Sequence, residues 1–512
     1  MKENMEIVDI LMQYKGIVDH AFDECTTLTK VIIPPLATSI GSFAFNQCSS
    51  LSEIEIPEVE TIGESAFNGC SSLKQITIPS SVTSIGSSAF SQCSLLRELI
   101  IPPSVTVIEP FVFNGCSMLD HIEIPSSVTF IGASAFCGCC LLKEIKIPPN
   151  IKSISESTFR GCSLLNELII PSSVSVINDS AFDTCSSLTS ITIPPSVVSL
   201  GNSVFRGCSS LRQIEIPPSV ASLGDYLFAG CLSLQNFEIL ESMTSIGASF
   251  FYGCSSLTAM NIPASITTIE ESAFEKCSSL KHVLIPSSVA LIGESAFRGC
   301  SSLNEIEITS SVISIGASIF MGCTALEKVT IANSVQSISS SAFEGCSSLS
   351  HIIIPSSVVS IGVSAFRKCT ALKEITIPHL VYSIGESAFE CCSSLTDVSI
   401  LSSLTTIDES TFRECTSLVQ IVIPETVTLI KNNAFRGCSS LNEISLPPNL
   451  DSVGIYAFYG CSKLKQVLFP PLVNSIGDSA LKGCSSLQLI SVPSSISTDN
   501  IGINSDVEVI VM

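Results

Sequence analysis

The segment from Cys70 to Cys93, CSSLKQITIPSSVTSIGSSAFSQC, decides the fold because its pattern recurs along the whole chain. A Cys recurs, preceded three residues earlier by a Phe in every coil except the last, which has Leu481, and these cysteines are at positions 25, 48, 70, 93, 116, 139, 162, 185, 208, 231, 254, 277, 300, 323, 346, 369, 392, 415, 438, 461 and 484. The step is 23 residues, except for 22 between Cys48 and Cys70. A fixed period of this size is the signature of stacked arrays. The sequence therefore predicts one elongated array of about 21 coils.

Within one coil, the apolar residues predict two short extended segments. Ile76 and Ile78 alternate with polar neighbours, which is typical of a strand rich in β-branched residues. Pro79 should end that strand, because it lacks a backbone donor. Val82 and Ile85 indicate a second short extended or 3₁₀ segment on the opposite side of the coil.

The sequence at the end of the coil predicts a turn followed by a single helical turn. Gly86 suits a turn that needs a positive φ. The stretch Ser88–Cys93 predicts a single helical turn, with Phe90 and Cys93 on one face. The predicted fold class is therefore an α/β-type solenoid that is mostly β.

A single coil cannot fold alone. It buries about seven apolar side chains, worth roughly 1.5–3 kcal/mol each, whereas ordering its residues costs about 35 kcal/mol. Neighbouring coils must cover its open faces, and caps must cover the ends of the array. We predict an N-terminal cap at residues 1–16 with an amphipathic helix at Glu6–Tyr14, the repeats at 17–496, and a C-terminal cap at 497–512. A final strand is expected within Val507–Met512.

Charge and hydropathy exclude several classes of function. The net charge of −22 argues against a nucleic-acid surface and against docking to anionic lipid. It favours solubility, and the steering of a basic partner is the alternative. Ser242–Ile269 carries no charge, but Gly253 and Pro263 and its repeat register argue against a membrane span. Met1–Met12 lacks the apolar core of a signal peptide. By sequence we therefore expect no membrane insertion and a cytoplasmic location.

The 24 cysteines are better explained as buried packing residues than as disulfide partners or metal ligands. Equivalent cysteines on neighbouring coils would lie about 5 Å apart, which permits a disulfide, but parallel side chains have the wrong torsion. Buried packing thiols are therefore preferred, and some disulfides remain an alternative. The cluster Cys137, Cys139 and Cys140 has a metal-like spacing without a second ligand pair. We expect no metal and no cofactor.

Catalytic motifs are missing from the sequence. His121, His282 and His351 share one repeat position, five residues after the Cys, which is typical of variation at a surface position. No nucleophile elbow, phosphate loop or zinc-protease motif occurs, and the many serines occupy fixed repeat positions. We therefore predict a protein that is not an enzyme.

The repeat resembles the BspA-like class of leucine-rich repeat. The match L-x-x-I-x-I-P-x-x-V-x-x-I-G-x-x-A-F-x-x-C is carried by Leu73, Ile76, Ile78, Pro79, Val82, Ile85, Gly86, Ala89, Phe90 and Cys93. It spans Ile17 to about Ile496. The resemblance implies a curved solenoid with a parallel sheet on its concave face. It also implies a surface antigen or adhesin that binds host or cellular proteins at the cell surface; an intracellular scaffold is the alternative.

The outward strand positions form the candidate partner-binding surface, five and seven residues after each Cys. The acidic candidates are Glu98, Glu167, Glu305, Glu374 and Glu443, and the apolar candidates are Ile100, Ile169, Leu284, Ile353 and Val422. The apolar residues cannot serve the core if the alternation holds. They would offer a partner buried area, and the glutamates would offer charge steering. The alternative is that β-branched residues simply favour strands and cost little when exposed.

A longer period of three coils is superimposed on the repeat. Most coils have Pro nine residues after the Cys, and the exceptions form two pairs, Leu240 with Thr309 and Ala332 with Leu401, whose members lie three coils apart. We interpret this period as growth by duplication of three-coil blocks. A self-alignment should therefore score higher at an offset of three coils than at one, two or four. If the three-coil offset does not stand out, the interpretation is wrong.

Overall fold

In the computed structural model, which describes the backbone of residues 7–9 and 15–512 and the side chains of 15–512, the chain divides into two compact units. The first unit comprises residues 1–243 and 250–256, and the second comprises 244–249 and 257–512. Within each unit the repeats form a parallel-sheet solenoid. Most coils contribute a front strand, which starts five residues after the Cys, and a side strand, which starts about nine residues later.

The strands of the first unit are short. Its front strands are Ile7–Asp9, Lys30–Ile32, Glu53–Glu55, Glu98–Ile100, His121–Glu123, Glu144–Lys146 and Glu167–Ile169. Its side strands are Ser39–Ile40, Thr61–Ile62, Ser84–Ile85, Val107–Ile108, Phe130–Ile131, Ser153–Ile154, Val176–Ile177, Ser199–Leu200 and Ser222–Leu223.

The second unit repeats this plan. Its front strands are Ala259–Asn261, His282–Leu284, Glu305–Ile308, Lys328–Ile331, Glu374–Ile377, Asp397–Ile400, Gln420–Val422, Glu443–Ser445, Gln466–Leu468, Leu489–Val492 and Glu508–Val511. Its side strands are Ser245–Ile246, Thr268–Ile269, Leu291–Ile292, Ser314–Ile315, Ser337–Ile338, Ser360–Ile361, Ser383–Ile384, Thr406–Ile407, Leu429–Ile430, Ser452–Val453 and Ser475–Ile476.

Neighbouring coils pair in parallel at equivalent repeat positions. Leu99 aligns with Ile122, one full period later. In the short repeat, Ser39 aligns with Thr61, which is one position less than a full period away. The missing residue therefore shortens the turn between the front and side strands, and the pairing register is kept on both sides.

One Phe from every coil except the last, which has Leu481, builds the core of each unit. Phe297 is fully buried, and its ring centroid lies 5.3 Å from that of Phe274 and 5.8 Å from that of Phe320. Both contacts are stacked, with interplanar angles of 1° and 12°. Phe297 therefore lies inside the core and faces the equivalent residues of both neighbouring coils. Stacking of equivalent rings is the direct result of one identical coil lying on the next.

The predicted helical turn at Ser88–Cys93 is wrong, and the described residues contain no helix. The Ser88, Phe90 and Gln92 N–H groups instead donate to carbonyl oxygens of the next coil, at 3.0, 3.0 and 2.6 Å. Ser88 and Gln92 have positive φ values of 58° and 60°. A helix would direct these donors four residues back along its own chain. Here the neighbouring coil provides the acceptors, so the α/β assignment is replaced by strands and turns.

Gly86 is required for a different reason from the one predicted. Its φ is not positive, and the left-handed residue of this turn is Ser88. A Cβ atom added at Gly86 would lie 2.5 Å from the backbone nitrogen of Glu64 in the preceding coil. Glycine therefore permits two coils to approach closely at this corner.

The predictions made for the two ends of the array have different outcomes. The helix predicted at Glu6–Tyr14 is wrong over Ile7–Asp9, which forms a strand parallel to Lys30–Ile32 and satisfies its backbone groups. The other positions of that prediction lie outside the described residues. At the other end, Glu508–Val511 pairs with Leu489–Val492, so the strand predicted within Val507–Met512 is confirmed. The boundaries of both caps stay predictions.

Candidate interaction surface

The front strands present one outward face. In strand Glu98–Ile100, Leu99 is buried, whereas Glu98 and Ile100 are exposed. Successive side chains of a strand point to opposite sides, so the residues five and seven after each Cys share one side. We call this surface the front face.

All ten candidate residues lie exposed on the front face. The exposed fractions of the apolar residues are 67% for Ile100, 85% for Ile169, 73% for Leu284, 70% for Ile353 and 73% for Val422. The exposed acidic residues are Glu98, Glu167, Glu305, Glu374 and Glu443. All lie within front strands except Ile353, whose segment has no assigned strand. Their role in partner binding stays a prediction.

Two histidines lie beside candidate glutamates on the next coil. The distance from His282 Nδ1 to Glu305 Oε1 is 3.9 Å, and that from His351 Nδ1 to Glu374 Oε1 is 3.3 Å. These pairs are exposed, so they add little to stability. The shared repeat position of these histidines by itself predicted surface variation. The one-period spacing of each His–Glu pair is the sequence signal that points to the pairing.

A three-residue arrangement recurs in the second unit. It consists of a polar residue five positions after a repeat Cys, an exposed aliphatic residue two positions later, and a Glu five positions after the Cys that begins the next coil. The copies are His282–Leu284–Glu305, His351–Ile353–Glu374 and Gln420–Val422–Glu443. We call these the front triads. Equivalent members of successive triads are three coils apart.

Some neighbouring strands place like charges side by side. Glu144 aligns with Glu167 in the first unit, and Glu374 aligns with Asp397 in the second. Like charges at directly opposed positions destabilise a sheet.

A second polar row lies outside the front face, two residues before each repeat Cys. In the first unit, the buried Asp183 carboxylate lies 3.2 Å from Arg160 Nε and 3.7 Å from Arg206 Nε. Burial raises the pKa of Asp183, and the Arg206 and Arg160 guanidiniums oppose this rise. We call this row the ion ladder.

The ion ladder is longer in the second unit. Arg367 contacts Glu344 at 3.1 Å and Glu390 at 3.0 Å, and Glu390 also contacts Arg413 at 3.1 Å. Each contact joins one coil to the next. This row was not predicted from the sequence, although acid and arginine alternate there at the repeat spacing.

The repeat cysteines form a third row, and all of them except Cys25 are buried. Cys323 Sγ donates to Phe297 O at 3.1 Å, and Cys300 Sγ donates to Phe274 O at 3.2 Å. Burial raises the pKa of Cys323 to about 12. A protonated, buried thiol is a poor nucleophile and a poor metal ligand. These thiols therefore pack the core and satisfy a carbonyl of the preceding coil.

The described residues include no group of three or more His, Cys, Asp or Glu side chains placed to hold a metal ion. Cys137 and Cys140 are partly exposed, and burial raises the pKa of Cys137. Across the same residues, no helix has the length and apolar character needed to cross a bilayer.

Comparison with known proteins identifies the repeat. A family model described as a BspA type leucine rich repeat region matches residues 1–120, 84–211, 176–304, 290–419 and 405–505. A leucine-rich repeat protein from Bacteroides ovatus is 24% identical, with 94% of this chain and 92% of that chain covered and a TM-score of 0.48. A leucine rich cell surface protein from Faecalibacterium prausnitzii is 28% identical, with 78% and 88% covered and a TM-score of 0.38. The pneumococcal vaccine antigen PcpA is 18% identical, with 83% and 89% covered and a TM-score of 0.27. No curated protein sequence matches.

Proposed function

Because the chain belongs to the BspA-type leucine-rich repeat family, a repeat scaffold whose fold is typical of protein–protein interaction, we propose that it binds other proteins through its front face. The observation that carries this proposal is the recurrence of exposed aliphatic side chains beside glutamates on neighbouring coils. Large exposed aliphatic residues in a repeated arrangement are a feature of interaction surfaces. The protein acts as a binding module and not as an enzyme.

The glutamates define the chemistry of the partner. Aligned like charges such as Glu374 and Asp397 favour a partner with lysine or arginine side chains. The aliphatic residues supply the buried area that holds the complex after encounter. The front face would form the concave side of the solenoid, which lets one partner contact several coils.

The biological role proposed is that of an adhesin or surface antigen, which is what membership of the family suggests. The alternative is an intracellular scaffold that uses the same front face. Protease shaving and membrane-impermeant labelling of intact producing cells distinguish the two. Labelling of the protein before lysis supports the adhesin, and labelling only after lysis supports the scaffold.

Charge reversal tests the front face. Substituting Glu305, Glu374 and Glu443 together by lysine should weaken binding of a partner identified by cross-linking about tenfold or more. Stability should change by less than about 0.5 kcal/mol per site, because the residues are exposed. Calorimetric titration and thermal unfolding measure the two effects.

The matched control makes the same charge change elsewhere in the second unit. Glu271, Glu294 and Glu386 are exposed and lie after the side strands, and their substitution by lysine should leave affinity nearly unchanged. Replacing Ile353 and Val422 by serine should again weaken binding. If the control abolishes binding while both front-face variants bind normally, the front face is not the binding surface.

A further inference from the structure

In the ion ladder, every arginine except one forms an ion pair with a neighbouring coil. The arginines of this row are Arg160, Arg206, Arg298, Arg367, Arg413 and Arg436. The first five each have a carboxylate oxygen of a neighbouring coil within 3.7 Å. Among the described residues, Arg436 has no such ion pair, and its Nη1 lies 3.4 Å from Asn433 Oδ1 instead.

The preceding arginine is only partly satisfied. Arg413 Nη1 donates to Glu390 at 3.1 Å, but Arg413 Nε is buried and has no hydrogen-bond partner. The Glu414 N–H donates to Arg436 O at 2.7 Å, which places the coils of the two arginines side by side. After Arg160 and after Arg367 the next rung of the ladder carries a carboxylate that pairs with the arginine. After Arg413 a second guanidinium occupies that rung.

Two tyrosines form the wall beyond Arg436. Its guanidinium carbon lies 5.2 Å from the ring centroid of Tyr459 and 5.7 Å from that of Tyr456. The rings meet edge to face, with centroids 5.5 Å apart. Tyr456 and the adjacent Ile455 are 38% and 42% exposed, so the wall is accessible to a partner.

We propose that Arg413 and Arg436 together bind a carboxylate group, with Tyr456 and Tyr459 contacting the apolar part of the same ligand. A guanidinium fork matches the two oxygens of a carboxylate, and the ladder uses that chemistry at its other rungs. Glu390 already pairs with Arg413 Nη1, and Glu414, whose carboxylate lies against Gly437, forms no ion pair with either arginine. The ligand is therefore external. The site is separate from the front face, so it stands or fails independently of the proposed function.

Two sources could supply the carboxylate, and the probes distinguish them. One probe is the fluorescein-labelled peptide acetyl-Phe-Glu-Leu-Glu-amide, and the other is free glutarate. Titration of the full-length protein at low ionic strength should show binding of at least one probe, and salt should weaken it. Binding of glutarate alone or of both probes indicates a small carboxylate ligand. Binding of the peptide alone indicates an acidic segment of a protein partner.

Variants assign the site to its residues. Arg436→Gln should weaken binding about tenfold or more, and Arg436→Lys should restore only part of it, because lysine lacks the guanidinium fork. Arg298→Gln is the matched control, since Arg298 occupies the same row but is paired with Glu275. Circular dichroism melts establish that each variant is folded. The proposal is overturned if neither probe binds, or if Arg436→Gln binds as tightly as the unmodified protein.

Discussion

Replacing Phe297 by alanine is expected to destabilise the surrounding coils by about 3–5 kcal/mol. Phe297 is fully buried between Phe274 and Phe320, so the substitution removes two stacked ring contacts and leaves a cavity. Adjacent backbone is held by the Phe297 N–H bond to Ile319 O, at 3.0 Å, and cannot simply collapse into the space. The loss therefore affects both neighbouring coils.

The damage should stay regional. Coils contact only their neighbours, so stability in a repeat array is a sum of local terms. Hydrogen exchange measured by mass spectrometry should accelerate around residues 274–320 and remain slow around Phe435 and Phe458 of the same unit. Phe297→Leu is the matched control, because Leu481 occupies the equivalent position in the last coil. A single sharp loss of all structure in Phe297→Ala would contradict this expectation.

Alkaline pH should unfold the protein through its buried thiols. Burial raises the pKa of Cys116, Cys254 and Cys323 from 9.0 to about 12. Between these values the folded state retains a proton that the unfolded state has lost. Stability is therefore complete below about pH 9 and falls as the pH rises towards the folded pKa. In this pH window each buried thiol lowers the free energy of unfolding by about 1.4 kcal/mol per pH unit.

The number of coils makes this effect large. Nearly every coil contributes a buried thiol, so the losses add along each unit and should exceed its net stability by about pH 10–11. Far-ultraviolet circular dichroism should disappear together with the appearance of thiolate absorbance. Added salt serves as the control, because it screens repulsion from the net negative charge but not the burial of a thiol. Thiolate formation near pH 9 with unchanged circular dichroism would refute the mechanism.

The exposure of the front face could be predicted from the alternation of apolar and polar residues within one coil. The two-residue alternation around Leu99 placed Glu98 and Ile100 on one exposed side, as expected from strand geometry. The alternation did not reveal side-chain contacts between neighbouring coils, such as the contact of Glu305 with His282. Such pairs join residues one full period apart, and a pattern read within one coil does not compare them.

The sequence by itself determined the repeat, its register, the buried Phe row and the outward rows, because these depend on period and apolar patterning within one coil. Only the tertiary structure decided how each coil satisfies its polar groups. The Ser88 N–H, the Cys323 thiol and the Arg367 guanidinium all find partners on a neighbouring coil. Local propensity therefore predicted a helical turn at Ser88–Cys93, whereas stacking supplies acceptors that make the extended, left-handed turn stable.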